Sequence, residues 1–193
     1  MVVKFNYYCF ENAVHPKILN EMIKMMKQSK DKIKGNVEDK PARSKIRDSW
    51  VTFRSDAWLY KYTHPYVRKA NQEAGWNFQW EMTEPAQLTA YTKKQHYNWH
   101  TDAFTSIPSS GPEWRKGKIR KLSSVLLLND DFKGGEFQIS YKSHYKDIVE
   151  TPKFMRKAGS IIIFPGFVWH RVKPVTSGTR YSLTQWHVGA PYV

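Results

Sequence analysis

Three side chains in this sequence could hold a metal ion together. His100 and Asp102 stand two apart in His-Thr-Asp, and His170 follows much later in the chain. On a strand or at its end, positions i and i+2 point to the same side, so one imidazole and one carboxylate could meet a single ion. A second imidazole from a later strand would complete two nitrogens and one oxygen on one face of the metal. That donor set leaves about three of six positions open and is the usual site of non-haem Fe(II) oxygenases. Arg180 gives the set a use. Pro174 and Ser177-Gly178 lie between it and His170, a reversal that is expected to put the two residues on adjacent antiparallel strands. A planar guanidinium grips a carboxylate with two parallel hydrogen bonds. A cosubstrate that chelates the metal at one end and offers a carboxylate at the other would fit, and 2-oxoglutarate is such a molecule. His-x-Asp alone recurs by chance, and a lone His170 would more often be structural; the joint pattern points to chemistry.

These residues need strands to position them. Residues 15–29 predict a helix, with Pro16 near its start and Ile18, Leu19, Met22, Ile23 and Met26 at helical spacing. A second helix is expected over 63–75, with Thr63 as N-cap, Pro65 in its first turn and Gly75 as its stop. Strands are expected at 49–54, 77–82, 86–92, 122–128, 135–140, 160–164, 168–172 and 180–188, punctuated by Gly134-Gly135, Pro165-Gly166 and Ser177-Gly178. Helices first and many short strands after them argue an α+β chain with a β-sandwich or barrel core. No βαβ alternation occurs, which argues against a nucleotide-binding parallel sheet, and the absence of a Walker loop, Gly-x-Ser-x-Gly and His-Glu-x-x-His removes three common enzyme classes.

The chain of 193 residues suits one domain, and 40% hydrophobic with 15% aromatic residues is not the composition of a disordered chain. The longest apolar stretch, 161–169, holds Pro165 and Gly166 and is too short for a membrane span. With no visible secretory signal and Cys9 as the single cysteine, the expectation is a cytoplasmic protein without membrane association. The net charge of +14 gathers in 30–47, 115–121 (RKGKIRK) and 142–157. It suits polyanions or an acidic substrate, or merely a solvated surface. No nucleic-acid-binding motif accompanies it.

Three segments, YTKKQHYNWHTDAF, RKLSSVLLLNDDFKGGEFQI and AGSIIIFPGFVWHRVKPVTSGTRYSLTQWHVG, occur in the order found in 2-oxoglutarate/Fe(II) dioxygenases of the prolyl 4-hydroxylase superfamily. The sequence most resembles the PKHD-type hydroxylases of bacteria and phages, over residues 86–189; the run 170–180, His-Arg-Val-x-Pro-Val-Thr-x-Gly-x-Arg, is the most specific part. The resemblance implies a double-stranded β-helix (jelly-roll) core at 86–189. Residues 1–85 would supply flanking helices and a substrate groove within the same domain. It implies Fe(II) on His100, Asp102 and His170, the distal carboxylate of 2-oxoglutarate on Arg180, O2 as oxidant and ascorbate as an accessory reductant. The reaction implied is oxidation of 2-oxoglutarate to succinate and CO2 with hydroxylation of a C–H bond. No general base is required.

By the same resemblance Tyr91 stands where a tyrosine reaches the cosubstrate, and Gln87, Thr89 and Tyr91 share one strand face by alternation. Trp186, six after Arg180, also falls on the arginine's face. For both Tyr91 and Trp186 a core role is an equal reading. Arg47-Asp48-Ser49-Trp50 resembles a stretch that lines the peptide groove of prolyl hydroxylases, and Gly134-Gly135-Glu136 matches a family turn that needs positive φ. His15, His64 and His144 are expected at the surface or in turns. His96 and His187 are expected to face away from the site. Trp50, Tyr97, Trp99 and Trp114 could wall a groove for a proline-rich peptide, and Arg115, Lys116 and Lys118 could attract an acidic one. Hydroxylation of a prolyl residue in a peptide or protein is therefore the leading expectation. The same iron chemistry on nucleic acid or on a free amino acid, and a non-catalytic β-barrel binding module, are its rivals.

Overall fold

The computed structural model describes residues 5–35, 46–104, 106–113, 115–143 and 146–192. Helix α1 (Pro16–Gln28) matches expectation: Pro16 opens it, and the side chain of His15 caps it by accepting from the Lys17 N–H at 3.2 Å. Its buried stripe is Leu19, Met22 and Met26. Helix α2 (Ala57–Glu73) starts six residues earlier than the sequence suggested, with Pro65 inside it. The buried stripe Leu59, Thr63, Val67 and Ala70 continues through the proline, and packing outweighs the ~3 kcal/mol that an interior proline costs. Thr63 is thus no cap; its hydroxyl donates to Gln185 Oε1 at 2.6 Å. Gly75 does end the helix, at φ +68°.

The strands are β1 (Tyr8–Phe10), β2 (Ile33–Lys34), β3 (Arg47–Asp48), β4 (Trp50–Arg54), β5 (Met82–Thr83), β6 (Ala86–Tyr91), β7 (His96–His100), β8 (Ile119–Leu127), β9 (Lys133–Gly134), β10 (Phe137–Ser143), β11 (Lys146–Glu150), β12 (Ile161–Pro165), β13 (Trp169–Val172), β14 (Val175–Ser177) and β15 (Arg180–Gly189). The strand expected over 77–82 forms only at its end. There Asn71 takes the ladder's place, its side chain donating to Phe78 O at 2.9 Å and accepting from Phe78 N at 3.0 Å.

All pairings among the described strands are antiparallel. The larger sheet runs β1-β12-β8-β15-β6-β4-β2, with β5 also on β15; the smaller runs β11-β10-β13-β7-β3. The two sheets face one another as the jelly roll. The larger sheet's central strands β12, β8, β15 and β6 are buried on both sides for most of their length, which explains their near-continuous apolar runs. Its even residues on β6 (Ala86, Leu88, Ala90) and β8 (Leu122, Leu126), with Ile161, Ile163 and Leu183, pack against α1 and α2. The alternate set, Tyr91, Val125, Leu127, Ile162 and Phe164, meets Phe137, Ile139 and Val172 of the smaller sheet. Strand β15 lies between β8 and β6, so Arg180 pairs with Tyr91 and Trp186 with Ser123.

His64 is not a surface residue. It packs beside His187, with ring centroids 5.7 Å apart, and both histidines bond to Thr83 Oγ1, at 3.0 and 2.8 Å. His187 also meets Ser124 Oγ at 3.2 Å and is 0% exposed. Burial, then the neighbouring His64 and Arg68, push its pKa from 6.5 to about 3. Between those values the unfolded chain binds the proton more tightly, so this contribution to stability is present above pH 6.5 and is lost as pH falls toward 3. His187→Gln is therefore expected to lose less stability between pH 7 and pH 5 than the parent, measured by urea unfolding at both pH values; an equal loss would refute the assignment.

Candidate metal centre

The site is built where the mouths of the two sheets converge. β7 and β13 pair antiparallel with His100 directly opposite His170, and Asp102 follows just beyond the end of β7. A register shift between His170 and Val172 then puts Tyr97, rather than His96, on the side of His100. The turn after β12 supplies the other constraint. The Gly166 carbonyl accepts from both Asp102 N and Ala103 N, at 2.9 and 2.8 Å. A Cβ on Gly166 would come within 2.5 Å of the Arg120 carbonyl oxygen, so only glycine fits where this turn presses on β8.

One ligand atom each from His100, Asp102 and His170 lies within 4.8 Å of the others. His170 Nε2 is 3.5 Å and His100 Nε2 3.8 Å from the Asp102 carboxylate. Each Nδ1 sits against a backbone carbonyl, Asn98 O at 2.8 Å and Val168 O at 3.0 Å. Donation of the Nδ1 proton there fixes the tautomer and leaves both Nε2 lone pairs turned inward. The Asp102 carboxylate accepts from Ser123 Oγ at 2.7 Å. Burial alone would raise its pKa, but His170, His100, Arg120 and Ser123 outweigh burial and hold it low. Burial, reinforced by His170, pushes His100 down to about 3. The group is therefore a carboxylate with a neutral imidazole at His100, a donor set suited to a divalent ion with open positions.

Arg180 lies across the pocket on the other sheet. The expectation of adjacent strands fails: β13 belongs to the smaller sheet and β15 to the larger, while β14 leaves to pair with β9. The reversal seen in the sequence therefore carries the chain across the sandwich. Arg180 is 1% exposed. Its Nη1 donates to Ser182 Oγ at 3.0 Å, while Nε and Nη2 have no partner among the described residues. Burial lowers its pKa to about 10. Gly135 makes room for it: φ is +63° there, and a Cβ would fall 3.1 Å from Arg180 Cδ. The Gly-Gly turn thus has a packing role as well as a conformational one.

Tyr91, Trp186 and Tyr97 line the same pocket, with Gln87, Ser182 and Thr184. Trp186 Nε1 is buried without a partner among the described residues. Tyr97 is less a wall than a support: its ring stacks 3.4 Å from that of His100, and the Arg47 guanidinium covers its other face at 4.6 Å. Trp50 is not brought to the pocket. It pairs with Ala90, hence shares the helix-side face, where Lys34 Nζ covers it at 4.5 Å. Trp114 and His144 lie outside the described residues. Ser123, Ser182 and Thr184 were missed, although Ser182 and Thr184 flank Leu183 at the period of two that also links Arg180 to Trp186. Lys116 pairs with Glu113, and Lys118 with Glu81 at 2.6 Å; Arg115 stacks on Phe104. The cations expected to draw an acidic peptide are thus engaged within the chain.

The 2OG-Fe(II) oxygenase superfamily model matches residues 86–188, the segment that holds every residue of this pocket. The chain belongs to that superfamily. Within this oxygenase family it is 31% identical over 105 residues to a PKHD-type hydroxylase of Pseudomonas fluorescens, covering 53% of this chain and 42% of that protein. It is 34% identical over 110 residues to one from Xylella fastidiosa strain 9a5c, covering 54% and 44%. The match thus spans less than half the length of these relatives. Among solved structures, a Pseudomonas putida prolyl-4-hydroxylase aligns over 95% of this chain and 92% of its own, with TM-score 0.68 and 18% identity. The viral collagen prolyl hydroxylase of Paramecium bursaria Chlorella virus-1, in its 2OG complex, aligns over 97% and 98%, with TM-score 0.66 and 16% identity. These likenesses confirm the oxygenase jelly roll, and Fe(II) and 2-oxoglutarate are the metal and cosubstrate of the family.

A buried guanidinium with two unused donors costs stability until an anion meets it. Arg180→Met is expected to stabilise the metal-free, cosubstrate-free oxygenase by ~1–3 kcal/mol in chemical denaturation. A loss of stability would mean that Arg180 is already satisfied.

Proposed function

We propose that this oxygenase hydroxylates a prolyl residue in a peptide or protein, holding Fe(II) on His100, Asp102 and His170 and 2-oxoglutarate on Arg180. The observation that carries the reading is the pairing of two unlike features in one pocket: a three-donor set turned inward, and opposite it a buried guanidinium whose Nε and Nη2 have no partner among the described residues. The residues fit both groups. Two inward-turned Nε2 atoms and a carboxylate suit a divalent ion, and Nε and Nη2 of Arg180 suit a carboxylate in bidentate geometry. When bound, the metal supplies the redox chemistry by which 2-oxoglutarate and O2 become succinate, CO2 and one hydroxyl group on the target.

The protein's own part is geometric and electrostatic. Arg180 fixes one end of the cosubstrate, and Tyr91, paired beside it with its ring 5.7 Å from the guanidinium, closes that end from water. Ser123 holds Asp102 in one rotamer. Tyr97 and Arg47 keep the His100 ring from turning, while Phe164, 4.6 Å from the His170 ring, does the same there. Trp186 lines the same cavity. A prolyl substrate is supported by the relatives' names: a prolyl-4-hydroxylase, a collagen prolyl hydroxylase, and a Trichoplax adhaerens prolyl hydroxylase in complex with a hypoxia inducible factor peptide. Ascorbate, as a reductant that returns the metal to Fe(II), is part of the same proposal.

Fe(II) and 2-oxoglutarate added without oxygen are expected to give the visible charge-transfer band of the chelate. His170→Ala should abolish the band. Arg180→Ala should require at least ~30-fold more cosubstrate, the loss for one partner of a buried charge pair worth about 2 kcal/mol. With oxygen, succinate formation should rise on adding proline-containing peptides. A band with no response to any of them would leave the reaction class standing and overturn the prolyl assignment.

A further inference from the structure

The segment leading from Asp102 into β8 bears Phe104, Arg115 and Arg120, and the last two belong to the basic run of the sequence. Both turn onto aromatic rings. The Arg115 guanidinium lies 4.7 Å from the Phe104 centroid, and that of Arg120 lies 4.8 Å from the same ring. Arg120 also covers Trp186 at 4.0 Å. Cations and rings thus alternate from half-buried Arg115, through Phe104 and Arg120, to a residue of the pocket wall. Arg120 is the shared member. Glu84 holds it by a fork, Nε to Oε1 at 2.8 Å and Nη2 to Oε2 at 2.6 Å. The Glu84 backbone N–H in turn donates to the Trp186 carbonyl at 2.9 Å. Glu84 is 6% exposed, so the pair is largely desolvated and its geometry strict.

We propose that Arg120 is a positioning residue for the oxygenase: one guanidinium fixes the Trp186 ring against the pocket and holds Phe104, with its segment, beside it. The pocket half of this proposal rests on the pocket being the Fe(II) and 2-oxoglutarate site. Lysine could replace the charge opposite Glu84, but it offers neither the fork nor a planar group for two rings. The role therefore demands arginine.

Three variants test both halves, Arg120→Lys, the double variant Arg120→Met/Glu84→Gln, which leaves no buried charge unpaired, and Phe104→Leu; a fourth, Trp186→Phe with Arg120→Lys, tests the link to the ring. The first measurement needs no metal. Under native conditions, tryptic cleavage after Arg115, Lys116 and Lys118 should be at least ~5-fold faster in all three variants, as expected when a pinned segment opens locally. Cleavage after the exposed Lys153 should be unchanged. The second measurement is the 2-oxoglutarate Kd from the anaerobic band. It should weaken at least ~5-fold in both Arg120 variants and stay at the parent value in Phe104→Leu. Trp186→Phe combined with Arg120→Lys should be no weaker than Arg120→Lys alone, because the two act as one unit.

Unchanged cleavage in the Arg120 variants would overturn the segment half, and parent-like affinity in Arg120→Lys would overturn the pocket half. Equal acceleration at Lys153 would show general loosening and overturn the positioning role. If the parent protein gives no band, the functional reading fails, and the cleavage measurement still decides whether Arg120 holds the segment.

Discussion

The register of β15 is the constraint on which this structure turns. The strand is hydrogen-bonded to β8 on one side and to β6 on the other, and its side chains alternate between two buried environments. A slip of one residue would send Arg180, Ser182, Thr184 and Trp186 into the helix-side core and bring Leu183 and His187 into the pocket. Apolar burial on the helix side thus fixes the polar geometry on the other. The ligand set depends on the same sandwich from its opposite wall, where β13 and β7 place the two imidazoles at directly paired positions, with ring centroids 4.1 Å apart.

Much of this was legible because period two is a rigid rule. From numbering alone it set Gln87, Thr89 and Tyr91 on one face of their strand, Trp186 on the face of Arg180 and His187 on the other; that Tyr91 belongs beside the cosubstrate came from the resemblance. It did not reveal which sheet a strand would join. His170 and Arg180 are ten residues apart across a turn, and that spacing serves a hairpin and a crossing of the sandwich equally well. Sheet membership is a long-range property, settled here by β14 pairing with β9. The early start of α2 was hidden for a related reason. Pro65 is a strong local signal for a helix start, and only packing of Leu59 and Thr63 against the sheet overrides it. Trp50 was misplaced because its motif was read without its partner strand, and its pairing with Ala90 decides the face.

Charge told less than it promised. A net charge of +14 suggests a basic surface seeking a polyanion, yet the cations of the 115–121 run that approach the site are spent on internal partners. Arg120 is forked by Glu84, Lys118 meets Glu81, and Arg115 lies on Phe104. Here arginine serves as much as a flat packing surface as a charge.

The larger sheet has a core on each side, and the two differ in kind. Helix-side packing is mostly apolar, with the Thr63–Gln185 pair and the His64, Thr83, Ser124 and His187 group set into it, while the pocket side admits Gln87, Thr89, Ser123, Ser182, Thr184 and a charged arginine. Stability and specificity are thereby divided between opposite faces of the same strands. Exchanges at the pocket positions would alter what the cavity accepts while leaving the helix-side packing whole. Such a scaffold is robust to mutation where its chemistry is written, and so is well placed to diversify its targets without refounding its fold.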